Sequence, residues 1–418
     1  MKQDRPNLLL ITTDEQRYDF IGAMGKTPVS TPNLDRLVRE GAYHPHTYTV
    51  NPVCMPARCS MLTGLYSHQH GVMNNRGDLP DQLPTLPKAL QDLGYKTALI
   101  GKEHFFEGFV DLAEADEHTR KAYGWDHTWT VAGKSMVAGM PGYEDAAEDF
   151  WTRHLRDNGL YEAYRASTSE RMGKRKNGEC EAGPSVLPEE HHVDYRVTEE
   201  TLAYLRGRAG LEEQDGSPPF FLWTSFCSPH CPFDPPEDYL AKYDPHDMPV
   251  PIDCPPEKID HYQSYLAAYC AMIEQLDHYV GRIVHELESQ GLLDNTLLVF
   301  LSDHGDMMGD FGLFAKNFPY EGSSRVPFIA RHPAMIPPGT YNASTEITDV
   351  AATFLEAAGA EDVRRILPES PSKSLLPLWQ GRPPGPSLCV FGERISVRIS
   401  LSNAGRRRLE VRLLRLQW

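Results

Sequence analysis

Short apolar runs, each ending in polar residues, recur along the chain. Leu8 to Thr12 is such a run and predicts a buried parallel strand that ends at Thr13-Asp14-Glu15. Thr31-Pro32-Asn33-Leu34 then opens a helix, with Thr31 as N-cap, Pro32 in the first turn, and Leu34, Leu37 and Val38 at helical spacing. Leu86 to Leu93 gives a second helix, closed by Gly94 and followed by a strand over Thr97 to Ile100. After a long interruption the rhythm returns, with a strand at Phe220 to Phe226, a long helix at Ile259 to Gln290, and a strand at Leu297 to Leu301. That last strand runs into Ser302-Asp303-His304-Gly305. The alternation predicts an α/β fold with a doubly wound, mostly parallel sheet flanked by helices, whose ligands sit beyond the carboxyl ends of the strands. Asp14, Lys102 and Asp303 fall at those ends.

Two stretches break the rhythm. Residues 105–215 carry Trp125, Trp129, Trp151, Tyr161 and Tyr164 among many charges and few strand signals. We read this as an insertion over the site, either a substrate lid or a structural excursion, whose rings are candidates for stacking on sugars. The catalytic domain is expected to span 1–345 and a small C-terminal subdomain 346–418. In the latter, a helix at Val350 to Ala360 gives way to Pro-rich loops and an Arg- and Leu-rich end from Arg406 to Trp418. The composition of that end reads as truncated or frameshifted in preference to an amphipathic terminal element.

Charge narrows the partners. A net charge of −17 repels nucleic acid and anionic membrane surfaces, so an anionic substrate must meet locally concentrated positive charge. No apolar run approaches the ~20 residues of a membrane span, and Met1-Lys2-Gln3-Asp4-Arg5 does not begin a secretory leader, so a cytoplasmic location is expected. The eight cysteines lack the short paired spacing of a zinc site. Most are read as small buried hydrophobes, and Cys54 is the one that calls for a separate account.

Cys54-Met55-Pro56-Ala57-Arg58, followed by Leu62-Thr63-Gly64, resembles the signature of the sulfatase family in the alkaline phosphatase superfamily. The resemblance implies that a formylglycine-generating enzyme oxidises Cys54 to formylglycine. The chemistry has its own rationale: a thiolate is a soft ligand, whereas a hydrated aldehyde offers two geminal oxygens suited to a hard cation. One oxygen can attack sulfur, and the other can expel sulfate by re-forming the carbonyl.

Further segments match the family in order. Asp14-Glu15 and Asp303-His304-Gly305 stand where the family places metal ligands, implying with Cys54 one divalent cation, calcium first, with magnesium or manganese as alternatives. Glu15 departs from the usual Asp-Asp. Gly94-Tyr95-Lys96-Thr97-Ala98-Leu99-Ile100-Gly101-Lys102-Glu103-His104 is similar to the segment whose Lys and His bind sulfate and the aldehyde hydrate. Gly312-Leu313-Phe314-Ala315-Lys316 resembles the one that supplies a second lysine. Arg58 is implied to hold or polarise the hydrate. His230, within Ser228-Pro229-His230-Cys231-Pro232-Phe233, is implied to face the leaving-group oxygen. Asp234, His191 and His192 are weaker candidates, read as surface or loop residues.

The implied activity is hydrolysis of sulfate monoesters, with an aryl sulfate or a sulfated carbohydrate as substrate. Two alternatives stand beside it: a phosphonate monoester or phosphodiester hydrolase of the same superfamily, which shares Asp303-His304 and lacks a second Asp after Asp14, and a non-catalytic relative. The Gly-Lys-x-His segment favours the sulfatase.

Overall fold

The computed structural model describes residues 5–106, 112–138, 149–174, 179–212, 217–382, 391–401 and 407–417. Eight strands form the main sheet: β1 (Asn7–Asp14), β2 (Ala42–Tyr43), β3 (Lys96–Lys102), β4 (His127–Val131), β5 (Phe220–Pro229), β6 (Thr296–Ser302), β7 (Phe328–Arg331) and β8 (Gly339–Thr340). Their order is β8-β2-β7-β6-β1-β5-β3-β4. The run from β6 to β4 is parallel throughout, and β7 is antiparallel to both β6 and β2. A mostly parallel sheet was the expectation from the strand runs, and the structure has one.

The period-two alternation of the strands decides how the layers pack. Leu8 and Leu10 of β1, Leu99 of β3, Phe221 and Trp223 of β5, and Leu297 and Val299 of β6 share one core. Against them pack α2 (Cys54–Thr63), α3 (Leu86–Asp92) and α6 (Asp349–Ala357). The neighbouring positions Leu9, Ile11, Ile100, Leu222, Leu298 and Phe300 point to the other core. There they meet α1 (Pro32–Glu40), α4 (Val193–Glu212) and α5 (Ile259–Ser289). The result is a three-layer α/β/α arrangement in which both sheet faces are covered, as an all-parallel centre requires.

Several local features differ from what the chain pattern suggested. Thr31 does occupy the N-cap position of α1, but its hydroxyl donates to Asp35 Oδ1 at 2.9 Å instead of capping. The orphan donors of that helix are met from α5, where the Asp277 carboxylate accepts from Asn33 N at 3.1 Å and Leu34 N at 2.7 Å. Within 105–215 the chain supplies the edge strand β4 and the helix α4, which packs on β5 and α5. Alternating Thr and a polar first residue in His127-Thr-Trp-Thr-Val hid that strand from a search for apolar runs. Trp125, Trp151, Tyr161 and Tyr164 of this segment are buried, and Trp129 stacks on Phe150. Farther on, Phe391–Leu401 and Arg407–Gln417 form a two-stranded antiparallel ribbon. Among the described residues no helix is long and apolar enough to cross a membrane.

Close approach of β3 and β5 depends on Gly101. Its φ is +111°, and a Cβ there would lie 1.9 Å from Ser225 O. Gly101→Ala should therefore destabilise the protein by about 3 kcal/mol or more, since the clash is with backbone that cannot move aside. Urea unfolding measures this; an unchanged midpoint would show that the two strands can separate without cost.

Candidate active site

Four neighbouring strands deliver the site. In the order β6-β1-β5-β3, Asp303 follows the first, Asp14 closes the second, His230 follows the third and Lys102 closes the fourth. Parallel register brings these ends level, with Thr13 opposite Ser302, Asp14 opposite Pro229 and Gly101 opposite Ser225. Over this edge stands the start of α2, all ten of whose residues are buried. Cys54 is its first residue, where unpaired backbone N–H groups and the helix dipole favour negative charge.

Cations crowd the Cys54 sulfur. Lys316 Nζ lies 2.9 Å from Sγ and His304 Nε2 3.3 Å, while Asp14 Oδ1 is at 3.7 Å. His104 also hydrogen-bonds the sulfur. Burial pushes the thiol up, but Lys102, Lys316 and His304 outweigh it and hold it well below the usual thiol range. Cys59, one turn on and equally buried without such partners, is pushed up instead.

The anions are arranged between these cations. Asp14 is bonded by the Lys102 ammonium. Burial and the Cys54 thiolate raise its carboxyl, and Lys102, His230 and Lys316 more than offset them, leaving it well below the ordinary carboxylate range. Glu15 Oε2 accepts from Lys316 Nζ and His230 Nε2, both at 3.2 Å, so its carboxyl is lowered despite burial. Asp303 accepts from Glu15 N at 3.1 Å, His304 N at 2.8 Å and Arg58 Nε at 2.9 Å. Burial opposes protonation of His230 and His304, yet the carboxylates raise them to about 10 and about 9. His104 goes the other way, pushed down first by burial.

Arg58 is placed beneath the site. Its Nε meets Asp303, and Nη1 donates to Lys102 O at 2.9 Å and to Ser225 Oγ at 2.6 Å. It therefore ties α2 to the ends of β6, β3 and β5. Ser225 gave no signal in the sequence, because its role depends on a partner 167 positions away. Asp306 and Arg17 were missed for the same reason. Asp306 Oδ1 accepts from Met308 N and Ala315 N, and Arg17 Nη1 donates to Met307 O and Asp310 Oδ2, which together shape the loop bearing Lys316.

Of the weaker candidates, Asp234 and His192 lie in loops, as one of the two readings had it, but both are buried. Asp234 pairs with Lys134 Nζ at 2.9 Å and accepts from Tyr164 OH at 2.9 Å, while Lys134 also donates to Pro232 O, fixing the segment that carries His230. His192 Nε2 is 3.3 Å from Leu187 O, and His191 is half-buried with Nδ1 2.9 Å from His154 Nε2.

Asp14, Cys54, Asp303 and His304 each place a donor atom within 4.8 Å of the others, and Asp14, Glu15 and His230 form a second such group. Two buried carboxylates held this close repel one another, and Glu15 Oε1 has no hydrogen-bond partner among the described residues. An oxygen-rich set with one imidazole suits a divalent cation, which would offset that repulsion.

A family model described as Sulfatase matches residues 6–360. The chain belongs to the sulfatase family. Within it, the chain is 30% identical over 383 residues to an arylsulfatase of Clostridium perfringens, covering 85% of this chain and 75% of that protein. It is 32% identical over 427 aligned residues to the multifunctional alkaline phosphatase superfamily protein PehA of Trinickia caryophylli, covering 91% and 78%. A phosphonate monoester hydrolase from Silicibacter pomeroyi shares the fold, with a TM-score of 0.74 at 22% identity over 93% of this chain and 80% of that one.

Two outcomes follow for the sulfatase site. Arg58→Met leaves the Asp303 carboxylate buried without its Nε partner and should cost about 3–5 kcal/mol in urea unfolding; a loss below ~1 kcal/mol would mean Asp303 is otherwise satisfied. In the unmodified chain, the ultraviolet thiolate absorbance belonging to Cys54 should persist as pH falls through neutrality. Cys54→Ala should remove that component, and a component that disappears near the ordinary thiol range would contradict the charge arrangement.

Proposed function

We propose that this chain hydrolyses sulfate monoesters through a formylglycine made from Cys54 by a formylglycine-generating enzyme. The observation that carries the reading is the convergence of Lys102 and Lys316, with the His304 and His104 imidazoles beside them, on one buried residue at a helix start, in a chain whose net charge is −17. Such a cluster supplies the local positive potential that an anionic ester needs.

Asp14, Asp303 and His304, with Glu15 beside them, are the residues that would hold a divalent cation, calcium in preference to magnesium or manganese. When bound, such an ion neutralises charge on the sulfate oxygens. Lys102 and Lys316 add counter-charge. One hydroxyl of the hydrated aldehyde at position 54 attacks sulfur as its proton passes to the Asp14 carboxylate, whose Oδ1 lies 3.7 Å from the Cys54 sulfur, the S–O bond to the alcohol breaks, and His230 gives its proton to the departing oxygen. The second hydroxyl then loses its proton to His104, the carbonyl re-forms, and sulfate leaves. The opposite displacements of the two histidines support this division: His230 is raised to about 10, whereas burial pushes His104 below the ordinary imidazole range.

A second reading, hydrolysis of phosphonate monoesters or phosphodiesters, draws support from Glu15 in place of a second Asp and from the 32% identity to a multifunctional superfamily member. Rates on para-nitrophenyl sulfate, a phenyl phosphonate monoester and bis(para-nitrophenyl) phosphate separate the two. We expect the sulfate to be preferred; a strong preference for the phosphorus esters would reverse the assignment.

Peptide mass analysis after co-expression with the modifying enzyme should show residue 54 lighter by about 18 Da, the difference between CH2SH and CHO. Cys54→Ala retaining full turnover would refute the nucleophile. His230→Ala should lower kcat by about 10²- to 10⁴-fold on an alkyl sulfate but far less on para-nitrophenyl sulfate, whose phenolate leaves without a proton. Equal losses on both esters would remove His230 from the acid role. Chelation should abolish turnover and added calcium restore it.

A further inference from the structure

Trp125, Trp151, Tyr161 and Tyr164 of the 105–215 segment are committed to packing, so among the described residues apolar surface for the part of a substrate beyond its sulfate is to be sought elsewhere. Five large hydrophobic side chains are exposed among the described residues, and four of them gather in one place. Val250 (56% exposed), Ile252 (57%), Phe311 (42%) and Tyr320 (44%) belong to two segments joined by a hydrogen bond from Phe311 N to Ile252 O at 2.6 Å. Phe311 and Tyr320 stack on each other with centroids 4.9 Å apart and planes inclined by 33°. Single exposed apolar residues need no explanation, but a contiguous aromatic and aliphatic patch does.

The patch is joined to the site through the chain. Phe311 is the tip of a narrow loop whose sides are closed by Met307 N to Ala315 O and Gly309 N to Leu313 O, and Lys316, 2.9 Å from the Cys54 sulfur, stands at its base. On the far side Asn317 N donates to Pro52 O, two residues before Cys54, and the chain then runs outward to Tyr320. The tip and Tyr320 each lie within about 18 Å of Lys316 along the chain. That reach is long enough for a second ring of the alcohol, beyond the group that bears the sulfate, to meet them.

The loop is also rigid and strained where it presents the ring. Asp310 receives Ile252 N at 2.9 Å through one oxygen and Arg17 Nη1 at 2.8 Å through the other. Phe311 itself has φ +56°, a left-handed conformation that a bulky residue rarely adopts and glycine adopts freely. An aromatic residue held in an unfavourable backbone conformation and exposed on a buried ion-pair anchor is a feature of binding surfaces.

We infer that Phe311 and Tyr320, flanked by Val250 and Ile252, form a subsite for a ring of the substrate's alcohol portion distal to the scissile ester. This rests on the sulfate-ester reading for its substrate class. The shared chemistry is a flat apolar ring face, which an aryl group or a pyranose can offer.

The test uses the formylglycine-bearing full chain with Phe311→Gly, which relieves the backbone as it removes the ring, and Tyr320→Ser. With biphenylyl sulfate and a disaccharide monosulfate, KM should rise about 2- to 10-fold in either variant, while kcat/KM on methyl sulfate stays unchanged. Loss confined to biphenylyl sulfate identifies an aromatic partner ring, and loss confined to the disaccharide a sugar face; either supports the subsite. Equal losses on methyl sulfate, or no loss on the two-ring esters, would overturn it. So would a concentration-dependent dimer of the wild-type chain that Tyr320→Ser dissolves, since the patch would then be an interface between copies. Calorimetric binding of biphenylyl sulfate to Cys54→Ala, with and without Phe311→Gly, gives the same comparison without turnover, and equal affinities would also overturn the subsite. Should the wild-type chain prefer phosphorus esters, the sulfate reading fails alone, and methyl and biphenylyl phosphonate monoesters decide the subsite.

Discussion

The buried pair between Arg58 and Asp303 is the constraint on which the site depends. Both side chains are fully removed from solvent, and Nη1 of the guanidinium donates to Lys102 O and Ser225 Oγ. One residue of α2 thereby fixes the ends of three strands, and residue 54 is carried one turn away on the same helix. A buried ion pair seldom adds net stability over well-packed apolar groups. What this one supplies is register: the helix cannot slide or rotate without stranding a charge, so the position of residue 54 relative to Asp14, Asp303 and Lys102 is set by the cost of that charge.

Around the pair, charges alternate in a way that explains the opposed behaviour of chemically identical groups. Cys54 and Cys59 are both buried in α2, yet one thiol is lowered by converging cations and the other raised by burial alone. His104 and His230 flank the same centre, yet only His230 faces the Glu15 carboxylate. Burial is common to all four, so the difference lies in which neighbours each strand end delivers.

What could be read from the sequence was what is local. Asp14, Lys102 and Asp303 were legible because each terminates an apolar strand run, and a parallel sheet brings such ends together, whereas His230 came from the family resemblance of its segment. Cys54 and Lys316 came likewise from short segments that resemble those of the sulfatase family. Ser225, Asp306, Arg17 and Lys134 were not legible, because each acts through a partner brought near only by the fold, as Lys134 does through Asp234. The same limit applies to aromatic residues. Trp151 and Phe311 look alike in composition, and only packing reveals that one fills a core while the other is presented to solvent on a strained loop.

The charge balance at residue 54 gives the proposed modification a physical consequence beyond supplying a nucleophile. In the unmodified chain the thiolate is itself an anion, and Lys316 and His304 are already directed at it. The proposed conversion to a hydrated aldehyde would remove one negative charge from this cluster. The site then carries an excess of positive charge in a protein that is strongly negative elsewhere, and burial keeps solvent from screening it. An incoming sulfate ester restores the balance that the thiolate had satisfied. On the proposed reading, the sulfate of the substrate takes up beside Lys316 and His304 the negative charge that the thiolate supplies in the unmodified chain.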